Sequence, residues 1–280
     1  MRILLPLLIF FVVAQLLGIF TASIIYADYE DNPYVQGLYL KPEGESESFF
    51  TIIFLFAIIL LSTAFLLFLI KYYKGNFLFL ILEFFMISVP SSIIFYSFSR
   101  IIFPYLESIL IGILLGCILA ILKHKYSFFK NPSAILASAA VGAIFGISFS
   151  PFFIIIFLII LAIYDYIAVF KTKHMVSLAG EIMKRDMALT ISSKVTIPKI
   201  GEKRIDLGTG DILAPIMLEV SFLSINPTAS IFIFFGSTIS VFLIFYLLRK
   251  SKMIIPALPP IVAGILLSLF IGYITGFIYF

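Results

Sequence analysis

The chain offers almost nothing for thiol, disulfide or metal chemistry. It has a single cysteine, Cys117, so an intrachain disulfide is excluded and no thiolate cluster can hold a metal. Its two histidines, His124 and His174, lie in polar flanks far apart in sequence, which argues against a zinc site. No metal or cofactor is expected. Tryptophan is absent, which leaves tyrosine to do most of the anchoring at a membrane interface. Charge is scarce as well. Only 12% of residues are Asp, Glu, Lys or Arg, where a soluble domain carries about 25%. The net charge of +4 is modest, and its lysines and arginines flank apolar runs. They read as topology determinants, not as a nucleic-acid surface.

What is present is apolar. Hydrophobic residues make up 62% of the 280, including 33 Phe, and the mean hydropathy is +1.19. This composition predicts an all-α polytopic membrane protein whose surroundings are the lipid bilayer. Length then sets a number of spanning helices instead of a number of soluble domains. Apolar segments fall at 3–26, 49–70, 77–98, 105–122, 132–150, 151–169, 207–225, 228–248 and 254–278. Each is close to the ~20 residues that cross a bilayer, so nine spans are expected. Pro151 and Pro227 sit where two pairs of runs nearly merge, and they favour tight hairpins over single long helices. The first run, "MRILLPLLIFFVVAQLLGIFTASIIYA", is longer than a signal-peptide core and shows no clear small-x-small cleavage site. It is read as a retained first helix.

Lys and Arg set the orientation. With a cytoplasmic N-terminus and an outer C-terminus, only Lys41 and Arg100 of the 19 basic residues fall outside. The acidic 27–48 loop then belongs to the outer face. The chain divides into helices 1–6 over 1–170, a cytoplasmic loop over 171–206, and helices 7–9 over 207–280, all in one membrane domain. The first part of the loop has apolar residues at helical spacing and continues the sixth helix. The second part, "SKVTIPKIGEKRID", alternates apolar and polar at Val195, Ile197 and Ile200, with Gly201 as a turn. That reads as a short strand or hairpin ahead of helix 7.

Four carboxylates stand inside the predicted spans: Glu83, Asp165, Asp211 and Glu219. An acid in a spanning helix costs about 2.5–3.5 kcal/mol on insertion scales, so each is a functional candidate. Asp165 is six residues before Lys171, about 9 Å of helix, and Asp211 is five residues past Asp206, about 8 Å. The two aspartates are therefore expected at matching depth near the cytoplasmic side, on helices 6 and 7. Two carboxylates at one level in a low-dielectric site share a proton and titrate as a pair. Such a pair can hydrolyse a peptide bond without a metal: one carboxylate takes a proton from water while the other donates one to the carbonyl oxygen. Gly208 and Gly210 leave the backbone before Asp211 bare, so that an extended peptide can approach, or they serve ordinary close packing. The stretch "MIIPALPP" at 253–260 places three prolines in five residues and is expected to be partly extended, with free backbone groups bordering the same cavity.

The residues "YD" at 164–165, "GTGD" at 208–211 and "PAL" at 256–258 occur in that order on the sixth, seventh and ninth of nine spans. In this the chain resembles the presenilin and signal-peptide-peptidase family of intramembrane aspartyl proteases (the GxGD type), in a minimal archaeal form. The match extends over essentially the whole chain. The resemblance implies that Asp165 and Asp211 are the catalytic dyad and that Tyr164, Gly208, Thr209, Gly210, Pro256, Ala257 and Leu258 shape the site. It implies substrates that are single-pass transmembrane helices or remnant signal peptides, and the presenilin orientation. Thr209 departs from the Leu common in the family and is expected to tune substrate choice. No close match to presenilin's long hydrophilic loop is seen. Activity without partner subunits is therefore expected in a prokaryotic cell membrane, with a homo-oligomer left open.

Other readings stay on the page. The intramembrane acids and a proline-rich half-helix also suit a cation or proton pathway. Glu219 reads as a structural polar contact, and Glu83 as pairing locally or facing the cavity. The GxxxG spacings Gly112/Gly116, Gly142/Gly146 and Gly272/Gly276 suit packing within the chain. Tyr164 and Tyr166 line core or cavity, and Cys117 fills space.

Overall fold

The computed structural model describes residues 4–31, 49–73, 75–172, 186–197, 201–248 and 256–278. Among the described residues there are nine α-helices. They are α1 (Leu4–Asp31), α2 (Phe49–Tyr72), α3 (Phe77–Arg100), α4 (Tyr105–Lys125), α5 (Lys130–Ser148), α6 (Pro151–Ile167), α7 (Thr209–Leu223), α8 (Pro227–Leu248) and α9 (Leu258–Ile274). A π-helical turn, Ala168–Thr172, continues α6. Seven helices are long and apolar enough to cross a membrane, which makes the chain an integral, multi-pass membrane protein. The other two, α7 with 15 residues and α9 with 17, are shorter. Most of the acidic 27–48 loop, and the helical reading of 173–185, lie outside the described residues.

Local chemistry explains the boundaries. Pro151 and Pro227 each occupy the first position of a helix, where the missing N–H has no partner to lose. Ser150 and Asn226 precede them, and their side chains accept from the N–H groups of Phe153 and Ala229. At the end of α9, Gly276 takes φ 75°, and the N–H groups of Phe277 and Ile278 close onto the Gly272 carbonyl.

The centre of the bundle is α7. It packs against α1, α5, α6, α8 and α9, and Ile212 and Ala214 through Phe222 are all buried. Small residues let its neighbours come this close. A Cβ on Gly18 of α1 would stand 2.3 Å from the Ile216 side chain, and one on Gly146 of α5 would stand 2.6 Å from the Met217 carbonyl oxygen. Gly112 and Gly116 of α4 lie against the α3 backbone in the same way: a Cβ on either would stand 2.6 Å from a main-chain carbonyl oxygen, that of Ser92 or Ser88 respectively.

Ion pairs fasten the two ends of α3. At its C-terminal end Arg100 donates to Asp28 of α1 at 2.9 Å, and the Tyr96 hydroxyl donates to the same carboxylate. At its other end Glu83 pairs with Lys123 of α4 and also accepts from the Ala188 N–H at 2.7 Å. Glu83 therefore pairs locally, in an ion pair that also holds the segment leading into the sheet.

That sheet is larger than the sequence pattern indicated. Strands β1 (Thr190–Ile197) and β2 (Gly201–Gly208) pair antiparallel, from Thr190 opposite Gly208 to Ile197 opposite Gly201. Ile191 and Leu207 enter the main core. Asn131 of α5 closes the outer edge of β1, donating to the Ser192 carbonyl at 2.8 Å and accepting from its N–H at 2.9 Å.

Candidate active site

Strand β2 runs without a break into α7. Gly208 is both its last residue and the N-cap of α7, with φ −64° and ψ 144°. The expected unwound helix entry is thus a strand, and helical counting underestimates how far Asp211 lies from Asp206, because a strand rises about 3.3 Å per residue. Asp211 occupies the third position of α7. From there its carboxylate reaches back to accept from the Gly208 N–H, as an acidic residue does in a capping box. Pro215 sits four residues on and has no N–H to give to the Asp211 carbonyl.

Asp165 comes from the last turn of α6, just before the π-helical turn. Its carboxylate accepts from the N–H of Leu258, the first residue of α9. Its Oδ2 is buried with no hydrogen-bond partner. The charge of Asp165 is felt at Asp211, so the fold brings the two predicted carboxylates, from α6 and α7, into one electrostatic site. Each stands at a helix N-terminus, Asp211 at that of α7 and Asp165 at that of α9, where the aligned peptide dipoles favour negative charge.

The "PAL" segment is expected from the sequence to be partly extended; in its described part Ala257 has φ −85° and ψ −31°, and α9 starts at Leu258, with Pro259 and Pro260 inside its first turn. Prolines are tolerated there because first-turn N–H groups have no intrahelical acceptor. They also strip that turn of donors, which leaves the Leu258 N–H facing Asp165. Pro256 and Leu258 are buried and Ala257 is half-buried against the main core. Residues 253–255 lie outside the described residues.

The remaining predicted residues separate. A Cβ on Gly208 would stand 3.1 Å from Asp211 Oδ2, so a side chain there would press on the carboxylate, whereas one on Gly210 would meet nothing within 4 Å. Thr209 turns to the sheet. Its N–H and its hydroxyl both donate to the Leu189 carbonyl, at 3.0 and 3.2 Å. Tyr164 is directed to α2, its ring edge-on to Phe56 at 5.5 Å, and Tyr166 is exposed.

Three contacts around the site carry no signal in the sequence: Asn131 to Ser192, Glu83 to Ala188, and Thr209 to Leu189. Each joins a side chain to a main-chain group distant in the sequence, and main-chain partners leave no residue-specific trace.

A family model described as signal-peptide peptidase, presenilin aspartyl protease matches residues 8–279. The chain belongs to this family. It is accordingly an intramembrane aspartyl protease. Two solved structures share the fold, both described as a presenilin family intramembrane aspartate protease. The one in space group C222 gives a TM-score of 0.71 at 21% identity, covering 97% of this chain and 99% of the other. The one in space group P2 gives 0.63 at 23% identity, covering 94% and 96%. Comparison with curated proteins finds no match. The GxGD and PAL motifs typical of presenilin-type proteases are the segments described above, at the starts of α7 and α9.

Proposed function

We propose that Asp165 and Asp211 are the catalytic dyad of this protease, acting on peptide bonds inside single-pass transmembrane helices or remnant signal peptides. The observation that carries this reading is the meeting of two carboxylates from separate helices at the N-termini of α7 and α9. One carboxylate removes a proton from a water molecule, whose oxygen bonds to the scissile carbonyl carbon. The other gives its proton to the carbonyl oxygen. The tetrahedral diol then breaks its C–N bond: the first carboxyl group returns its proton to the leaving amine, while the second carboxylate takes one back from a diol hydroxyl, whose oxygen becomes the carbonyl of the new acid.

The substrate reaches the dyad laterally, from lipid, and unwinds near the inner face. Gly210, with open space beside it, leaves room for the peptide, and Gly208 keeps its own side of the carboxylate clear. Strand β2 has one edge paired with β1 and no strand on its other edge among the described residues, so an unwound substrate can add there. Thr209 acts on the dyad through its bonds to the hairpin, and Pro256, Ala257 and Leu258 hold the donor that faces Asp165. The N-terminus is cytoplasmic and the C-terminus outside, with nine spans in a prokaryotic cell membrane, and the chain works without partner subunits.

The test is cleavage of a single-pass transmembrane substrate in liposomes, with wild type beside Asp165→Asn and Asp211→Asn. Cleavage that requires both aspartates is expected. Full activity in either variant would sink the dyad.

A further inference from the structure

A cavity of about 330 Å³ lies between the start of α3 and the end of α4. The two helices run antiparallel, since Gly112 and Gly116 of α4 face Ser92 and Ser88 of α3 in turn. The basic end of α4 therefore lies beside the first turns of α3. Leu80, Phe84 and Ile87 line one wall, and Ala120 and Ile121 line the other. From Leu80 to Ile87 the wall runs about 10 Å along the bundle. Ile121 is 59% exposed, so the cavity opens on the outside of the bundle, where the chain meets lipid.

Charge is graded along this cavity. Inside it, Glu83 and Lys123 are both buried and neutralise each other in an ion pair. At its mouth stand His124 and Lys125, both exposed, and no acidic side chain among the described residues pairs with either. The Lys125 ammonium lies 5.5 Å from the centre of the Tyr126 ring, and Tyr126 is 48% exposed, as suits a residue at headgroup level. No acid in the first turn of α3 offsets the positive end of its dipole. A positive mouth is thus joined to a long apolar wall. A free phosphate would use the mouth and leave the wall bare. A zwitterionic lipid would bring its own ammonium to Lys125. A phosphodiester lipid with an uncharged headgroup alcohol carries one net negative charge and acyl chains, and it matches both parts.

We propose that the cavity between α3 and α4 binds one anionic phospholipid, with its phosphate at His124 and Lys125 and an acyl chain along Leu80, Phe84, Ile87 and Ile121. The bound chain covers the Glu83–Lys123 pair from the bilayer side. The site stands independently of the proteolytic mechanism. Each basic residue beside an anionic headgroup is worth about fivefold in affinity.

The chain has no tryptophan, so one introduced at the cavity reports on it alone. The full-length Ile121→Trp variant is reconstituted in phosphatidylcholine bilayers, and its fluorescence is quenched with brominated phosphatidylglycerol or brominated phosphatidylcholine. Phosphatidylglycerol should quench at about fivefold lower mole fraction or less, and saturably. Adding His124→Ala and Lys125→Ala, both at exposed positions, should remove that preference. A tryptophan placed instead by Leu61→Trp, on the outer side of α2, should be quenched equally by the two lipids. Soluble glycerol phosphate, at matched ionic strength, should not relieve the quenching. Equal quenching by both lipids at Ile121→Trp would overturn the site. So would a preference that survives loss of His124 and Lys125, or one equally strong at Leu61→Trp. Relief by glycerol phosphate would overturn the lipid in favour of a free phosphate.

Discussion

Helices α2 and α7 are built on opposite plans. Helix α2 has the highest mean hydropathy of the membrane-spanning candidates, and only 6% of its central window is buried. Helix α7 contains an aspartate, a glutamate and a proline, yet Ile212 and Ala214 through Phe222 are all buried in it. In water the greasier helix would be the inner one. In lipid the tails are as apolar as leucine, so hydropathy does not choose the centre; close packing and polar contacts do. Helix α2 meets the bundle along Ile52, Leu55 and Ile59 and presents Phe54 and Leu61 outward. Helix α7 is central because Gly18, Gly142 and Gly146 of its neighbours let it in.

The contrast can be broken by substitution, and the largest effect belongs to the two aspartates of the proposed dyad. Asp211→Asn should lower cleavage by about 10²–10⁴-fold, the range of acid–base catalysis, with the unfolding midpoint unchanged in the same preparation. Next comes the anchor of the sheet that feeds α7. Glu83→Ala leaves Lys123 buried without its partner and should cost about 3–5 kcal/mol. Glu83→Gln, which still accepts from Ala188, should recover part of that stability and more of the cleavage rate. Equal losses in both variants would deny the Ala188 contact a role.

Packing follows. Gly146→Leu, which drives a side chain into the Met217 carbonyl and Val220, should cost about 1–3 kcal/mol or more by thermal unfolding. The smallest effect sharpens the comparison from the other side. Leu61→Ala in α2, at a position 72% exposed, should move stability by less than about 0.5 kcal/mol. A large loss there would mean that α2 is covered by something beyond this chain.

Much of this architecture can be read from particular residues. Helix starts at Pro151 and Pro227, and the hairpin ahead of α7, follow from local signals within a few residues of each boundary. The positions of Asp165 and Asp211 relative to the charged flanks pointed to one shared site. The start of α9 at Leu258 was not legible, because three nearby prolines look like a break. In the fold two of them sit in the first turn of α9, where their missing N–H groups do no harm. Thr209 stands out in the sequence only against the family pattern, and its hydroxyl bond to the Leu189 carbonyl twenty residues back is not legible there.

The sequence by itself determined that this chain lives in a membrane, where its apolar runs begin and end, and which two aspartates stand near one face. Those properties are set by neighbours along the chain and by the solvent each segment prefers. Only the tertiary structure decided that α7 is the centre and α2 the rim, that the Leu258 N–H faces Asp165, and that Glu219 is fully buried. These depend on which small residue meets which ridge and which main-chain group meets which side chain. Hydropathy cannot record either, because lipid and protein interior are equally apolar.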